Sequence, residues 1–329
     1  MKILFLVRDK NHPAPRYRVA QYLNYLNEHG VQSDVMTAPE SVWSWWQTAR
    51  QAKQYDIIFI QKKRAKPFWL KQLREQSRLI YDFDDAVMFN SSRHDSPDSP
   101  VRMKHFMDTV SNVNGVIAGN DYLKSLAAPH NAKIWVVPTC IETKRYPQKE
   151  GVDTETVTLG WIGGGKSLVF LKKLQPVLDR VHEQSGNTVL KIVCNDFFDN
   201  GRMPIIKKQW SDPEEVQDIL SFDIGLAPLP DDPWSRGKCG TKLLQCMAAG
   251  IPSVASPVGV HNEIVKDGVN GFLAADDNEW VDKLSRLVKD AALRKQIGMA
   301  GRATVEAGYS INANAPKLLA IFKQISSVK

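Results

Sequence analysis

Residues 238–259 read KCGTKLLQCMAAGIPSVASPVG. A glycine-bearing loop leads into TKLLQCMAAG, where Leu243, Leu244 and Met247 fall on one helical face and Gly250 supplies a stop. The following PSVAS, residues 252–256, reads as a buried strand. A helix followed at once by an apolar strand is the repeating unit of an alternating α/β layer. The start of such a helix, with Lys238 and Lys242 beside it, suits an anion, because its unpaired N–H groups and its dipole carry positive charge.

Working outward, VTLGWIG from Val157, VLKIVC from Val189 and FDIGLAPL from Phe222 are further strands of the same half. Ser211, Pro213 and Glu214 predict a capped start for the helix EEVQDIL. The polar run ETKRYPQKEGVDTET, with Pro147 and Gly151, interrupts the pattern and puts a domain boundary near residue 150. The N-terminal half repeats the plan with the strands KILFLV, DIIFIQ, RLIYDF, GVIAG and IWVVP. Between the first two lies one helix, RYRVAQYLNYLNEHG, stopped by Gly30. At the other end Leu318, Ile321, Phe322 and Ile325 repeat at helical spacing, so the tail is a helix with one apolar face to cover.

With 329 residues the chain exceeds one comfortable core and fits two α/β domains. No run approaches the roughly 18–20 apolar residues of a membrane span, and MKILFLVRDK is charged too soon for a signal peptide. Cys140, Cys194, Cys239 and Cys246 have no CxxC spacing, which points to a reducing, cytoplasmic setting without a metal site. The histidines His12, His94, His105, His130 and His261 have no ligand spacing either, and most are expected at the surface or in caps.

The net charge of +7 is uneven: residues 1–145 hold 21 Lys and Arg against 14 Asp and Glu, and the remainder is balanced at 22 each. The basic half suits an anionic membrane surface or a phosphate-bearing acceptor, and a solvated basic face explains it as well. No aromatic-basic pattern points to nucleic acid. Trp43, Trp45 and Trp46, with Arg50 and Lys53 nearby, read as a sugar-stacking or membrane-interface cluster, or as a packed corner of the core.

The stretch GWIGGGKS, residues 160–167, satisfies the spacing of the phosphate loop of nucleoside triphosphatases. Its glycines admit phosphate to backbone N–H groups, and Lys166 adds charge. The apolar run, however, passes through Gly160 and ends near Gly163, and KIVCND is a weak substitute for the magnesium-binding strand. Three readings stay open: a triphosphatase or kinase loop, a tight turn with no ligand, and the diphosphate-binding turn of another α/β fold.

Residues 238–259, followed by EIVKDGVNGF at 263–272, resemble the donor-site region of glycosyltransferase family 4. VVPTCIETKRYP is similar to that family's interdomain segment, and FDIGLAPLP to the strand before its donor loop. The resemblance spans nearly the whole chain and implies the GT-B architecture: two Rossmann-like domains facing across a cleft, with a C-terminal helix crossing back to the first. It divides the chain into an acceptor domain at 1–148, a nucleotide-sugar donor domain at 149–310 and the returning helix at 311–329. It implies a nucleoside-diphosphate sugar as donor, a glycan or lipid-linked acceptor, retention of configuration and no bound metal or permanent cofactor. A triphosphatase, or a sugar-nucleotide-binding protein without activity, is the alternative.

On that resemblance Gly163, Gly164, Gly165 and Lys166 face the donor diphosphate, with Arg236, Lys238, Lys242 and Gln245 completing the donor site. The family's two glutamates fall at Gly237 and Gln245, so neither acid is present, and Thr139 and Cys140 replace its Asn-Gly. Three carboxylates, Asp82, Asp84 and Asp85, crowd the end of a strand and are the catalytic candidates for handling an acceptor hydroxyl. Arg16 and Arg18 are candidates for a clamp on phosphate or acceptor.

Overall fold

The computed structural model describes residues 1–9, 13–149, 155–199 and 201–327. His12 of the first loop and Gly151 of the linker lie outside the described residues. The chain divides into two compact units, and the first is discontinuous: Met1–Cys140, Asp232–Cys239 and Ile311–Lys329. The second comprises Ile141–Asp231 and Gly240–Ser310.

The first unit is built on six parallel strands: β1 Lys2–Val7, β2 Gln32–Thr37, β3 Ile57–Gln61, β4 Arg78–Phe83, β5 Gly115–Ala118 and β6 Ile134–Val136. They lie in the order β2-β1-β3-β4-β5-β6. Successive side chains of a strand point to opposite faces, and each face carries its own core. Leu4, Leu6, Ile58, Ile60, Leu79, Tyr81 and Phe83 pack with Trp45, Leu70, Leu73 and Phe106 on one side. Ile3, Phe5, Ile57, Phe59 and Ile80 pack on the other with Tyr22, Leu26 and the helix Ile311–Ser327. Phe322 of that helix meets the rings of Phe5 and Phe59 at 6.2 and 5.9 Å between centroids. The apolar face expected of the tail is therefore buried on this unit's sheet.

Two local expectations need correction. The predicted helix of residues 16–30 is broken into Pro13–Arg18, a 3-10 turn Ala20–Tyr22 and Leu23–Glu28. The edge strand β2 reads QSDVMT and has no fully buried residue, so it lacks the apolar run that marks its neighbours.

The second unit has strands β7 Val157–Ile162, β8 Thr188–Cys194, β9 Ile205–Gln209, β10 Ile224–Ala227, β11 Ser253–Ala255 and β12 Phe272–Leu273, ordered β12-β11-β10-β7-β8-β9 and all parallel. Its core joins Leu159, Trp161, Leu190 and Ile192 to Leu171, Leu178, Trp280 and Leu284. The helix Thr241–Ala248 forms as its sequence predicts, with Leu243, Leu244 and Met247 buried and Gly250 at φ +72° beyond it. The predicted capping box at Ser211 does not form: the helix runs Glu215–Leu220 without a side-chain cap, and the Ser211 hydroxyl donates to the Glu214 carboxylate at 2.6 Å.

Candidate functional site

In open parallel sheets the carboxyl ends of the strands are where ligands bind, and both units place polar clusters there. In the first unit β3 ends at Gln61, and Lys62 follows with φ +55°, the one positive φ outside glycine among the described residues. A side chain in that region costs on the order of 1 kcal/mol of backbone strain and persists only where its surroundings hold it. Here the Lys62 N–H donates to the Asp82 carbonyl at 2.8 Å, and its ammonium reaches Asp84 Oδ1 at 2.6 Å and Asp85 Oδ2 at 2.5 Å. Asp85 is shared: Lys238 Nζ lies 3.3 Å from its other oxygen and 3.5 Å above the Trp234 ring.

Burial alone would raise the Asp85 carboxyl, but Lys238 and then Lys62 overcome it and hold it well below the usual carboxylate range. Burial likewise opposes the charge on Lys62, and Asp84 and Asp85 raise its pKa well above the usual lysine value. Asp85 is thus held between the ammonium groups of Lys62 and Lys238, and Lys62 also reaches Asp84. A third of the Asp85 side chain remains exposed, at 33%, which leaves it open to a ligand.

The third acid differs. Period-two alternation puts Asp82 on the face of β4 opposite Tyr81 and Phe83, where it is 0% exposed and ion-paired through both oxygens with Arg18. Arg18 also donates to the Val137 carbonyl at 2.7 Å. Burial lowers the pKa of that guanidinium and Asp82 more than restores it, so Arg18 stays charged. Asp82, expected as a catalytic acid, and Arg18, expected as a clamp, are therefore each other's interior partner. Arg16 lies beside Tyr17, its guanidinium 4.6 Å from the ring centroid and bonded to the hydroxyl.

Lys238 reaches Asp85 because the segment Asp232–Cys239 is packed into the first unit. Asp232 caps its short helix through Ser235 N–H at 2.7 Å, Asn120 Nδ2 donates to the Lys238 carbonyl at 3.0 Å, and the Cys239 thiol donates to the Asp84 carbonyl at 3.3 Å. Two glycines permit the fit. A Cβ on Gly237 would stand 2.5 Å from the Ala86 Cβ, and one on Gly119 would stand 2.4 Å from the Cys239 sulfur. Arg236 is exposed at the end of the same short helix.

In the second unit β7 runs through Gly160 to Ile162, and a helix starts at Gly165, Gly165–Lys173. Gly160 is not a phosphate glycine: its missing Cβ makes room for the Phe222 ring, which would lie 1.9 Å away. Gly163 is different, since the space of its Cβ is filled by the Lys242 ammonium, 2.2 Å from that point. The Lys242 Nζ also sits 4.5 Å above the Trp161 ring. The glycine turn and the start of the helix Thr241–Ala248 therefore meet, as a diphosphate cradle requires. Gly164 and Lys166 are exposed at the turn, and Gly165 lies against the Asp196 carboxylate from the end of β8.

Gln245 faces inward. It is 4% exposed, and its amide donates to the Tyr146 hydroxyl at 3.1 Å, which donates in turn to Glu215 at 3.2 Å. His261, one of five histidines of which most are expected at the surface or in caps, is 3% exposed, and its Nδ1 donates to the Ser256 carbonyl at 3.0 Å. Burial chiefly, with Lys242 adding, pushes its pKa down to about 4, so the ring is neutral at pH 7. All four cysteines are free and buried. No metal-ligating cluster occurs among the described residues, and no helix there is long and apolar enough to cross a membrane.

Lys62 escaped the sequence reading. It begins a Lys-Lys-Arg run that looks like a solvated basic loop, and its one local signal is its place directly after an apolar strand. The left-handed backbone that aims it at two acids is a property of the assembled sheet edge.

Residues 208–290 match the family model described as glycosyl transferases group 1. A D-inositol 3-phosphate glycosyltransferase of Actinosynnema mirum is 25% identical over 264 residues, covering 71% of this chain and 63% of the relative. The chain thus spans less than two thirds of the length of that curated relative. Among solved structures, Anabaena Alr3699/HepE in complex with UDP and glucose superposes with a TM-score of 0.71 at 14% identity, over 98% of this chain and 100% of the other. The sucrose-phosphate synthase of Thermosynechococcus elongatus gives 0.73 at 14% identity, over 100% of both chains. At such identity the likeness is one of fold, and the fold is GT-B.

Proposed function

We propose, from the place of this chain among the GT-B relatives of the group 1 glycosyltransferases, that it transfers a sugar from a nucleoside-diphosphate sugar to a glycan or lipid-linked acceptor, with retention at the anomeric carbon. The observation that carries the reading is the Lys242 ammonium filling the space left by Gly163 at the end of β7. Departure of a nucleoside diphosphate puts negative charge on the leaving oxygen, and fixed cations and helix N-termini stabilise it there without reorganisation. Lys242 and the backbone of Gly163, Gly164 and Gly165 take that role, with Lys166 adding charge. The Trp161 ring beneath Lys242 fixes the ammonium over the turn.

In a retaining transfer the leaving phosphate itself takes the acceptor proton, so no protein nucleophile is needed. Asp84 and Asp85, on the N-terminal unit, serve to hydrogen-bond the acceptor, and Asp82 keeps Arg18 in place beneath them. The positive set supplies the diphosphate's counter-charge, which supports a transfer without bound metal. Four free, buried cysteines fit a reducing cytoplasm, and the basic N-terminal half fits work at the inner face of an anionic membrane.

A thermal-shift series with UDP, GDP, dTDP and ADP tests the reading. One nucleoside diphosphate is expected to raise the melting temperature, and Lys242→Ala to weaken its binding about tenfold, as loss of one charge-assisted contact does. If none of them binds, or if magnesium-dependent ATP turnover requires Lys166, transfer from a nucleotide sugar is the wrong chemistry. The anomeric configuration of the product, read by NMR, decides retention.

A further inference from the structure

The helices Val42–Ala52 and Pro67–Arg74 of the first unit leave four large apolar side chains in solvent: Val42 at 73%, Trp43 at 63%, Trp46 at 43% and Phe68 at 61% exposed. The two helices are joined below by Trp45 and Trp69, whose rings stack with centroids 6.1 Å apart. Trp45 of the tryptophan cluster is thus core, whereas Trp43 and Trp46 project outward. Single exposed apolar residues are ordinary, but several aromatics on adjoining helices mark a surface that meets something.

The charge around them identifies the partner. Residues 41–74 hold eight Lys and Arg and a single acid, Asp56. Arg50, Lys53, Lys66, Lys71 and Arg74 of that stretch are exposed. Aromatic and aliphatic side chains ringed by cations are the complement of a bilayer rich in anionic lipid, where indole rings lie at the headgroup level and cations meet phosphates. A glycan fits less well, because sugars stack on open ring faces. Trp43 and Trp46 are stacked on one another at 5.1 Å, and the Arg50 guanidinium lies 4.7 Å from the Trp46 centroid.

Position supports the same partner. Both helices begin after the carboxyl ends of their strands, so Trp43 follows β2 and Phe68 stands six residues after Lys62. The patch is on the sheet edge that carries Asp84 and Asp85. We propose that this face, Val42, Trp43, Trp46 and Phe68 with their lysine and arginine ring, docks on an anionic lipid surface. The proposal rests on the transfer reading only in the use it gives the surface, which is to bring a lipid-linked acceptor to the acidic pair.

The test is co-sedimentation of the full chain with vesicles of phosphatidylcholine, alone or with about one third phosphatidylglycerol. Binding is expected to the anionic vesicles, with a blue shift of tryptophan emission, and is expected to fall severalfold as salt is raised. Trp43→Ser/Trp46→Ser/Phe68→Ser is expected to lose about tenfold or more in vesicle affinity. A second variant, Arg50→Gln/Lys66→Gln/Lys71→Gln, leaves the aromatics in place and is expected to lose the preference for anionic lipid. Equal binding to both vesicle types, no binding, or full binding by either variant overturns the proposal. The nucleotide thermal shift, measured on the same preparations, reports on the transfer reading separately, so vesicle binding without nucleotide binding would leave the lipid surface standing and remove its proposed use.

Discussion

Lys62→Met removes one ammonium from between two carboxylates while keeping the length and apolar stem of the side chain. In the native protein that ammonium is 2.6 Å from Asp84 and 2.5 Å from Asp85, and Lys238 reaches only Asp85. Breaking one partner out of a fully buried ion pair costs about 3–5 kcal/mol. Because the Asp85 side chain is 33% exposed, water screens part of the loss, and a fall of about 2–3 kcal/mol in unfolding free energy at pH 7 is expected. Urea denaturation followed by circular dichroism measures it.

The pH dependence makes the expectation specific. Asp85 is held ionised below the usual carboxylate range, so its contribution is complete above the unfolded carboxylate pKa, about 4, and declines as the pH falls below that value. The gap between wild type and Lys62→Met therefore narrows from pH 7 to pH 3. Lys62→Gly loses the same charge but releases the strain of φ +55°, so it is expected to be about 1 kcal/mol more stable than Lys62→Met. A Lys62→Met protein as stable as wild type at pH 7, or a gap unchanged between pH 7 and pH 3, would refute the reasoning.

Two further outcomes follow from close packing and burial. Gly237→Ala places a methyl group 2.5 Å from the Ala86 Cβ and 2.8 Å from its backbone nitrogen, so it should destabilise the first unit by about 1–3 kcal/mol in urea unfolding; a change within experimental scatter would show that the 232–239 segment is not seated as described. His261 binds a proton below pH 6.5 when unfolded and only near pH 4 when folded, so stability should fall by about 3 kcal/mol as the pH drops through that window. His261→Gln should remove this component, seen as the difference between the two stability profiles, and parallel profiles would contradict a buried neutral ring.

How much of this was legible in the sequence depended on burial. Strands β1, β3, β4, β7 and β8 are packed on both faces, so their apolar runs stand out, whereas β2 and β9, at sheet edges, read QSDVMT and IIKKQ and do not. The glycine turn was legible as the join between a strand and a helix, yet which glycine serves which purpose was not. Gly160 exists for the Phe222 ring and Gly163 for the Lys242 ammonium, and both partners are more than sixty residues away in the chain. The acidic triplet was legible as unusual, but not that β4 ends at Phe83, which leaves Asp82 inside the strand against Arg18 and puts Asp84 and Asp85 past its end against Lys62.

The two positions at which the family resemblance expects glutamates, Gly237 and Gln245, have a physical reason for their residues in their surroundings. At Gly237 a side chain of any kind meets the Ala86 backbone, so a glutamate would require the 232–239 segment to leave its seat beside Asp84. At Gln245 the neighbour is the Tyr146 hydroxyl, whose own proton goes to Glu215. A tyrosine oxygen already donating needs a donor in return, which an amide supplies and a carboxylate does not. A glutamate there would also bury a second negative charge close to Glu215, at a cost of several kcal/mol unless it took up a proton. Each departure is therefore compatible with its own packing, and neither position projects a free carboxylate toward a donor sugar. On the proposed transfer, selectivity for the sugar rests on other groups around the glycine turn, where Lys166 and Gly164 are exposed.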